Sequence, residues 1–120
     1  MKRKFLESFI KEEYDIPPEF PWIKYPTFAV YRHGENKKWF AVIMDIPKSK
    51  LGILGDEEIS VVNLKCDVMM IGSVRKEKGI FGGWHMNKNH WITVVLDGSV
   101  PLDKIKFLVD LSYELTKKQR

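Results

Sequence analysis

The spacing of apolar residues in this chain switches between helical and alternating, and this switch sets the class of fold. Near the start, Phe5, Leu6, Phe9 and Ile10 recur at helical spacing, with charged residues on the other side. Near the end, a second apolar helical face is formed by Ile105, Leu108, Val109, Ser112 and Leu115. Between these helices, β-branched and aromatic residues predict strands over residues 27–32, 38–46, 59–65 and 91–96. The chain therefore mixes helices with a sheet.

The connections between these segments predict the topology. The turn residues 33–36 join the first two strands as a hairpin. Asp67 is placed to cap a middle helix that ends near Gly79, and residues 79–84 allow a short strand. The order is helix, three strands, helix, two strands, helix. Short connections favour an antiparallel sheet covered by helices on one face, a two-layer α+β fold.

A proline-rich stretch follows the first helix. Residues 17–26 hold four prolines together with Trp22 and Tyr25, and proline ends a helix because it lacks a backbone donor. We predict an extended segment that its aromatic side chains hold against the surface of the domain.

Composition limits the number of domains and the compartment. The 120 residues, 44% hydrophobic and 30% charged, predict one domain spanning residues 1–120. One cysteine excludes an internal disulfide framework and fits a reducing compartment. No apolar run approaches a membrane span, so we expect a cytoplasmic monomer with no membrane partner.

The densest group of polar side chains lies just before the last strand. Two imidazoles, two amides and an ammonium occur among His85, Asn87, Lys88, Asn89 and His90, followed by Trp91. The spacing of the two histidines matches no common chelate and no third ligand is apparent, so we predict no metal. We predict instead a structural clasp between the last two strands, in which both imidazoles hydrogen-bond to backbone groups. Lys88 is then its most exposed member and faces solvent or an anion.

The inventory of residues argues against catalysis. The sequence has no G-x-S-x-G motif, and the glycines of residues 79–83 lack the Lys-Ser/Thr pair of a phosphate-binding loop. Cys66 has hydrophobic neighbours and is interpreted as a small buried residue. We therefore predict neither an enzyme nor a bound cofactor.

Basic residues are grouped in loops. The net charge of +4 permits an anionic partner without requiring one. Lys37 and Lys38 at the hairpin tip, with Lys48 and Lys50 after the second strand, are placed to project like wings onto phosphates. A solvated surface is the alternative explanation of such groups.

Residues 85–94, HMNKNHWITV, followed by LDGSVP at residues 96–101, resemble the signature of the YjbR/MmcQ family of small bacterial proteins. Further similarity lies at Tyr25-Pro26, at residues 38–41 (KWFA), at residues 63–67 (NLKCD) and at residues 111–113 (LSY). The resemblance implies a two-layer α/β fold similar to the bacterial frataxin homologue and to secretion-chaperone-like proteins. It also implies DNA binding through a double-wing motif.

Two functional hypotheses follow. The first is a non-enzymatic protein that binds double-stranded DNA mainly through its phosphates, using Lys37, Lys38, Lys48, Lys50 and Lys88. The second is a small-ligand or protein-interaction module that uses the loop of residues 85–91.

Overall fold

The structure is a computed structural model that describes residues 2–117. Its α-helices are α1 (Arg3–Tyr14), α2 (Ile71–Val74) and α3 (Leu102–Thr116). Its strands are β1 (Ala29–Arg32), β2 (Trp39–Pro47), β3 (Glu58–Lys65), β4 (Ile80–Gly82) and β5 (Trp91–Val95), and a 3₁₀-helix spans Lys48–Leu51. None of the helices in this range is long and apolar enough to cross a membrane.

The five strands form one antiparallel sheet in the order β1-β2-β3-β5-β4. The predicted order of elements and the α+β class are confirmed. All five predicted strands match the observed bounds to within two residues, because β-branched and aromatic runs between turn residues are a strong strand signal.

One face of the sheet is covered by the helices. Leu6 and Ile10 of α1 are fully buried, as are Ile105 and Val109 of α3. They pack in one hydrophobic cluster with inward residues of every strand, including Ile43, Leu64 and Ile92. The amphipathic faces that the sequence showed at both ends of the chain therefore close the main core.

The opposite face of the sheet, here called the helix-free face, carries a second cluster built on Val30, Val42, Met44, Val61 and Val95. The proline-rich segment lies against it: the Trp22 ring meets the rings of Phe28 and Trp39 edge to face at 6.0 and 5.7 Å. The predicted attachment of this segment through its aromatic residues is confirmed.

The middle helix is much shorter than predicted. Helix α2 contains Ile71–Val74 alone, and turns occupy the flanking residues 68–70 and 75–79. The Asp67 carboxylate accepts the Met69 N–H at 2.8 Å, so it organises a turn before the helix. Val68 and Met69 are exposed, and a helix that buries only Ile71 and Val74 has apolar packing to support little more than one turn.

Antiparallel pairing fixes which loops meet. The start of β2, the end of β3 and the start of β5 lie at one end of the sheet, where Lys65 pairs with Trp91. This end, with the hairpin tip at residues 33–38 and the loop at residues 83–90, is called the loop end. Pro47 and the 3₁₀-helix that follows lie at the opposite end.

Candidate nucleic-acid interface

Five cationic side chains are carried by four separate segments at or beside the loop end. Lys37 and Lys38 lie in the β1–β2 hairpin, Lys65 ends β3, Arg75 follows α2, and Lys88 lies in the loop before β5. The sheet and the packing of α2 against it bring together residues that are far apart in sequence.

The loop of residues 83–90 is held by its own backbone. Gly83 donates its N–H to the Trp91 carbonyl at 3.0 Å, which extends the pairing of β4 with β5. The Asn87 carbonyl accepts the N–H groups of both His90 and Trp91, and the His90 carbonyl accepts the Cys66 N–H at 2.8 Å. The loop therefore joins β4 and β5 to the end of β3 through backbone hydrogen bonds.

A buried polar network anchors the same loop from the helix-free face. Thr93 donates its hydroxyl to the Asn63 side-chain oxygen at 2.6 Å, and the Trp84 N–H donates to the Thr93 oxygen at 2.8 Å. Asn63 completes the ring by donating its amide to the Trp84 carbonyl at 2.9 Å. Sequence reasoning missed this network, although two polar residues inside otherwise apolar strands were the signal for it.

The two histidines play a smaller part than predicted. His85 is exposed with a positive φ of 57°, and its ring lies 4.0 Å from that of Trp84. His90 is half-buried, and neither imidazole hydrogen-bonds to another residue of the described range. The prediction of imidazole hydrogen bonds was wrong. The backbone N–H groups of the turn are already paired with backbone carbonyls and with the Asn87 side chain, which accepts the Asn89 N–H at 2.9 Å.

Lys88 is exposed as predicted, but its side chain folds back over the loop. Its ammonium donates to the Gly83 carbonyl at 3.0 Å, and Arg75 donates to the Lys88 carbonyl at 3.2 Å. Both side chains flank Gly82. An ammonium has three donors, so Lys88 keeps donors for an anion beside Arg75, a residue outside the predicted site.

Lys65 was also missed by sequence reasoning. Its ammonium lies 5.7 Å from the centre of the Trp91 ring, an arrangement in which the electron-rich face of an aromatic ring attracts a cation. Strand alternation places both side chains on the helix-free face with Asn63 and Thr93. The position of Lys65 opposite a tryptophan could not be read before the register of β3 and β5 was known.

The hairpin tip that carries Lys37 and Lys38 is fixed to the end of α3. The Asn36 amide donates to the Thr116 carbonyl at 2.9 Å, and a ring nitrogen of His33 lies 2.8 Å from the Thr116 hydroxyl. His33 is only 6% exposed, and this burial lowers its pKa below the ordinary value of 6.5. The hairpin tip is therefore anchored by a neutral imidazole at pH 7.

The five cations of the loop end share one property, which most other cations of the described residues also have. Within residues 2–117, no carboxylate lies within 4.0 Å of Lys37, Lys38, Lys65, Arg75 or Lys88. Residues 78–96, which supply β4, the loop and β5, contain no Asp or Glu. None of these five cations is therefore neutralised by a direct ion pair with the described residues, although the hairpin tip also carries the exposed carboxylate of Glu35.

The structure separates the remaining predicted wing residues from this surface. Lys48 and Lys50 lie beyond the other end of β2, a nine-residue strand that spans roughly 27 Å. Lys48 is paired with Glu57 at 2.6 Å, and its side chain packs against Gly55. The two lysine groups therefore do not form one contact surface.

Metal binding and thiol chemistry have little support from the side chains of the described residues. In the described part of the chain, no three His, Cys, Asp or Glu side chains are grouped as they would be around a metal ion. Cys66 is buried as predicted, and its burial raises the pKa of the thiol. The loop end thus offers cations, amides and backbone donors, which are groups that bind anions.

Comparison with known proteins identifies a family whose model matches most of the chain. The model of the YjbR family matches residues 13–115. The Bacillus subtilis (strain 168) protein YyaQ is 40% identical over 117 residues, covering 98% of this chain and 99% of its own. The Escherichia coli (strain K12) protein YjbR is 60% identical over 30 residues, 25% of each chain. The names of these relatives state no activity.

Solved structures share the fold. A crystal structure of a Pseudomonas syringae protein has a TM-score of 0.96 at 44% identity, covering 98% of this chain and 100% of that one. A Deinococcus radiodurans protein has a TM-score of 0.73 at 25% identity, covering 97% of this chain and 78% of that one.

Proposed function

The chain belongs to the YjbR family, and we propose that this member is a non-enzymatic protein that binds double-stranded DNA through phosphate contacts at the loop end. The observation that carries the proposal is that five cations, presented from four segments of the chain, lie at one end of the sheet with no carboxylate of residues 2–117 within 4.0 Å. Lysine and arginine side chains are the usual partners of DNA phosphates, and phosphate contacts carry little information about base sequence. We therefore expect this protein to have weak DNA sequence preference.

The rigidity of the loop end supports this use. The loop of residues 83–90 is bound to β3 and β5, and the hairpin tip is bound to α3. Cations held on such anchored segments lose less freedom on binding than cations on mobile tails do. The proposal includes a cytoplasmic location, since the one cysteine is buried as a free thiol.

The test is fluorescence anisotropy with a short labelled duplex at several salt concentrations. Three to five phosphate contacts give a log–log salt slope of about −3 to −4.5 and micromolar or weaker affinity at physiological salt. The double variant Lys65→Gln/Lys88→Gln flattens the slope by about 1.8, because each lost contact removes about 0.9.

The matched control is Lys78→Gln/Lys106→Gln. It removes the same charge from lysines placed away from the loop end, before β4 and near the start of α3. This control leaves the slope within about 0.5 of that of the native chain. Equal losses in both variants would show nonspecific attraction to net charge, and absence of binding at about 50 mM salt would exclude the proposal, since phosphate contacts are strongest there.

A further inference from the structure

A groove of about 660 Å³ lies where α1 meets the start of the proline-rich segment. Tyr31 of the edge strand β1 lies at its base, and its walls come from the helix and from the chain that follows it, with contributions from Lys4, Ser8, Lys11, Ile16, Pro17 and Pro18. The volume and the mixture of apolar walls with a few polar groups are typical of small-ligand sites.

Tyr31 supplies an unused donor at the base of this groove. The residue is only 2% exposed, and its hydroxyl has no hydrogen-bond partner in the described part of the chain. No fully buried side-chain oxygen among these residues lacks a partner, so the Tyr31 oxygen must itself be open to the groove. Buried tyrosines ordinarily hydrogen-bond through their hydroxyl. The Tyr31 hydroxyl is therefore available to donate a hydrogen bond to a ligand in the groove.

The protonation state of Tyr31 suits a donor. Burial, followed by the charge of Glu7, raises its pKa to about 12. The phenol therefore keeps its proton throughout the physiological range and donates to an oxygen acceptor.

The rim of the groove along α1 carries two lysines and a carboxylate, Lys4, Lys11 and Glu7, and Asp15 adds a second carboxylate where the helix ends. Lys4 and Lys11 are two turns apart, about 10 Å along the helix, and neither has an ion-pair partner among residues 2–117. Glu7, which lies between them, is paired with Arg3 at 3.2 Å.

We propose that this groove binds a small organic anion with an apolar body. The acid group lies near Ser8 between Lys4 and Lys11, an oxygen of the ligand accepts the Tyr31 hydroxyl, and the apolar body lies against Ile16 and the adjoining prolines. The site is separate from the loop end and does not depend on the DNA-binding proposal.

The experiment is an NMR titration of the full chain with phenyl phosphate and, separately, with the neutral analogue benzyl alcohol. Phenyl phosphate shifts the amide resonances of Ser8, Lys11, Ile16 and Tyr31, and benzyl alcohol binds the same residues at least about tenfold more weakly. Lys65→Gln/Lys88→Gln keeps these shifts, which separates the groove from anion binding at the loop end.

The decisive variant is Tyr31→Phe. The lost hydroxyl has no protein partner, so the melting temperature changes by less than about 2 °C, while the affinity for phenyl phosphate falls about 2- to 10-fold. Ser8→Ala provides a second variant of the groove with the same expectation. The proposal is overturned if neither variant changes the affinity, if benzyl alcohol binds equally well, or if about 10 mM phenyl phosphate shifts none of the four groove resonances.

Discussion

Asn63 and Thr93 are the polar residues at the centre of the helix-free face, 1% and 0% exposed. Each makes its hydrogen bonds within the ring that includes the Trp84 backbone. A buried polar group costs little while it is paired and a great deal when its partner is removed. The network therefore holds the loop of residues 83–90 more firmly than the exposed side chains of that loop do.

The change Asn63→Ala is expected to lower the free energy of unfolding by about 2–4 kcal/mol, because it opens a cavity and leaves the Thr93 hydroxyl donor without its acceptor and the Trp84 carbonyl without its donor. Urea denaturation followed by tryptophan fluorescence measures the loss. His90→Ala serves as the control within the same loop and costs less than about 1 kcal/mol, since that imidazole has no hydrogen bond in the described range. A larger loss for His90→Ala than for Asn63→Ala would contradict this division of roles.

His33 makes stability depend on pH. Its pKa is lowered in the folded chain by burial, so below about pH 6.5 the unfolded chain binds more protons than the folded chain does. The free energy of unfolding therefore decreases as the pH falls below 6.5, by at most about 1.4 kcal/mol per pH unit for this one group.

The comparison is with His33→Gln, which keeps a hydrogen-bonding side chain but does not titrate. Chemical denaturation of both proteins between pH 7 and pH 5 is the measurement. The native chain loses more stability over this interval than the variant does. Parallel curves for the two proteins would show that His33 is not the titrating group.

At the scale of elements, the contact between β4 and β5 depends on the absence of a side chain at residue 83. A Cβ added at Gly83 would meet the Cβ of Trp91 at 2.7 Å and the Trp91 carbonyl oxygen at 3.0 Å. Trp91 is a strand residue held by its register with Lys65, so its backbone cannot move aside without disturbing β5. Glycine at this position permits the close approach of the loop to the strand.

Gly83→Ala is expected to destabilise the protein by about 1–3 kcal/mol through this overlap. Gly72→Ala, in α2, is the matched substitution: nothing lies within 4 Å of its added Cβ, and alanine favours a helix by about 0.5–1 kcal/mol over glycine. Thermal unfolding thus shifts in opposite directions for the two variants. A stabilised Gly83→Ala protein would mean that the loop and strand are farther apart than described.

At the scale of the whole molecule, the two ends of the sheet differ in charge. The five cations of the loop end form no ion pair within residues 2–117. At the opposite end, Lys48 forms an ion pair with Glu57, and Arg3 forms one with Asp45. A duplex bound at the loop end would have to extend roughly 27 Å along β2 before it met Lys48 and Lys50.

This separation predicts a difference between two double variants with the same loss of charge. Lys37→Gln/Lys38→Gln flattens the salt slope of duplex binding, by up to about 1.8, and Lys48→Gln/Lys50→Gln leaves it nearly unchanged. Anisotropy titrations with a duplex of about 10 base pairs make the comparison at equal ionic strength. Equal effects of the two double variants would contradict this prediction and would indicate that both lysine groups contact the same duplex.

Local sequence patterns were sufficient to predict the class of fold and the order of elements. Amphipathic helices at both ends and apolar runs between turn residues are local patterns, and the burial of the central parts of α1 and α3 follows from them, whereas Phe5 and Leu115 at the outer ends of these faces are exposed because no other element covers them. The buried state of Cys66 and the position of the proline-rich segment were predicted on the same grounds. The likeness of residues 85–94 to the YjbR signature was also local information.

Contacts between side chains from distant parts of the chain could not be predicted in this way, because they depend on how the elements pack. The register of β3 with β5 puts Lys65 on Trp91 and Asn63 beside Thr93, and no spacing along the chain contains that pairing. The length of β2 separates Lys38 from Lys48, although basic composition made them look alike. Hydrogen bonds and charge pairing depend on distances between residues remote in sequence, so interfaces and grooves are set by packing after local patterns have chosen the elements.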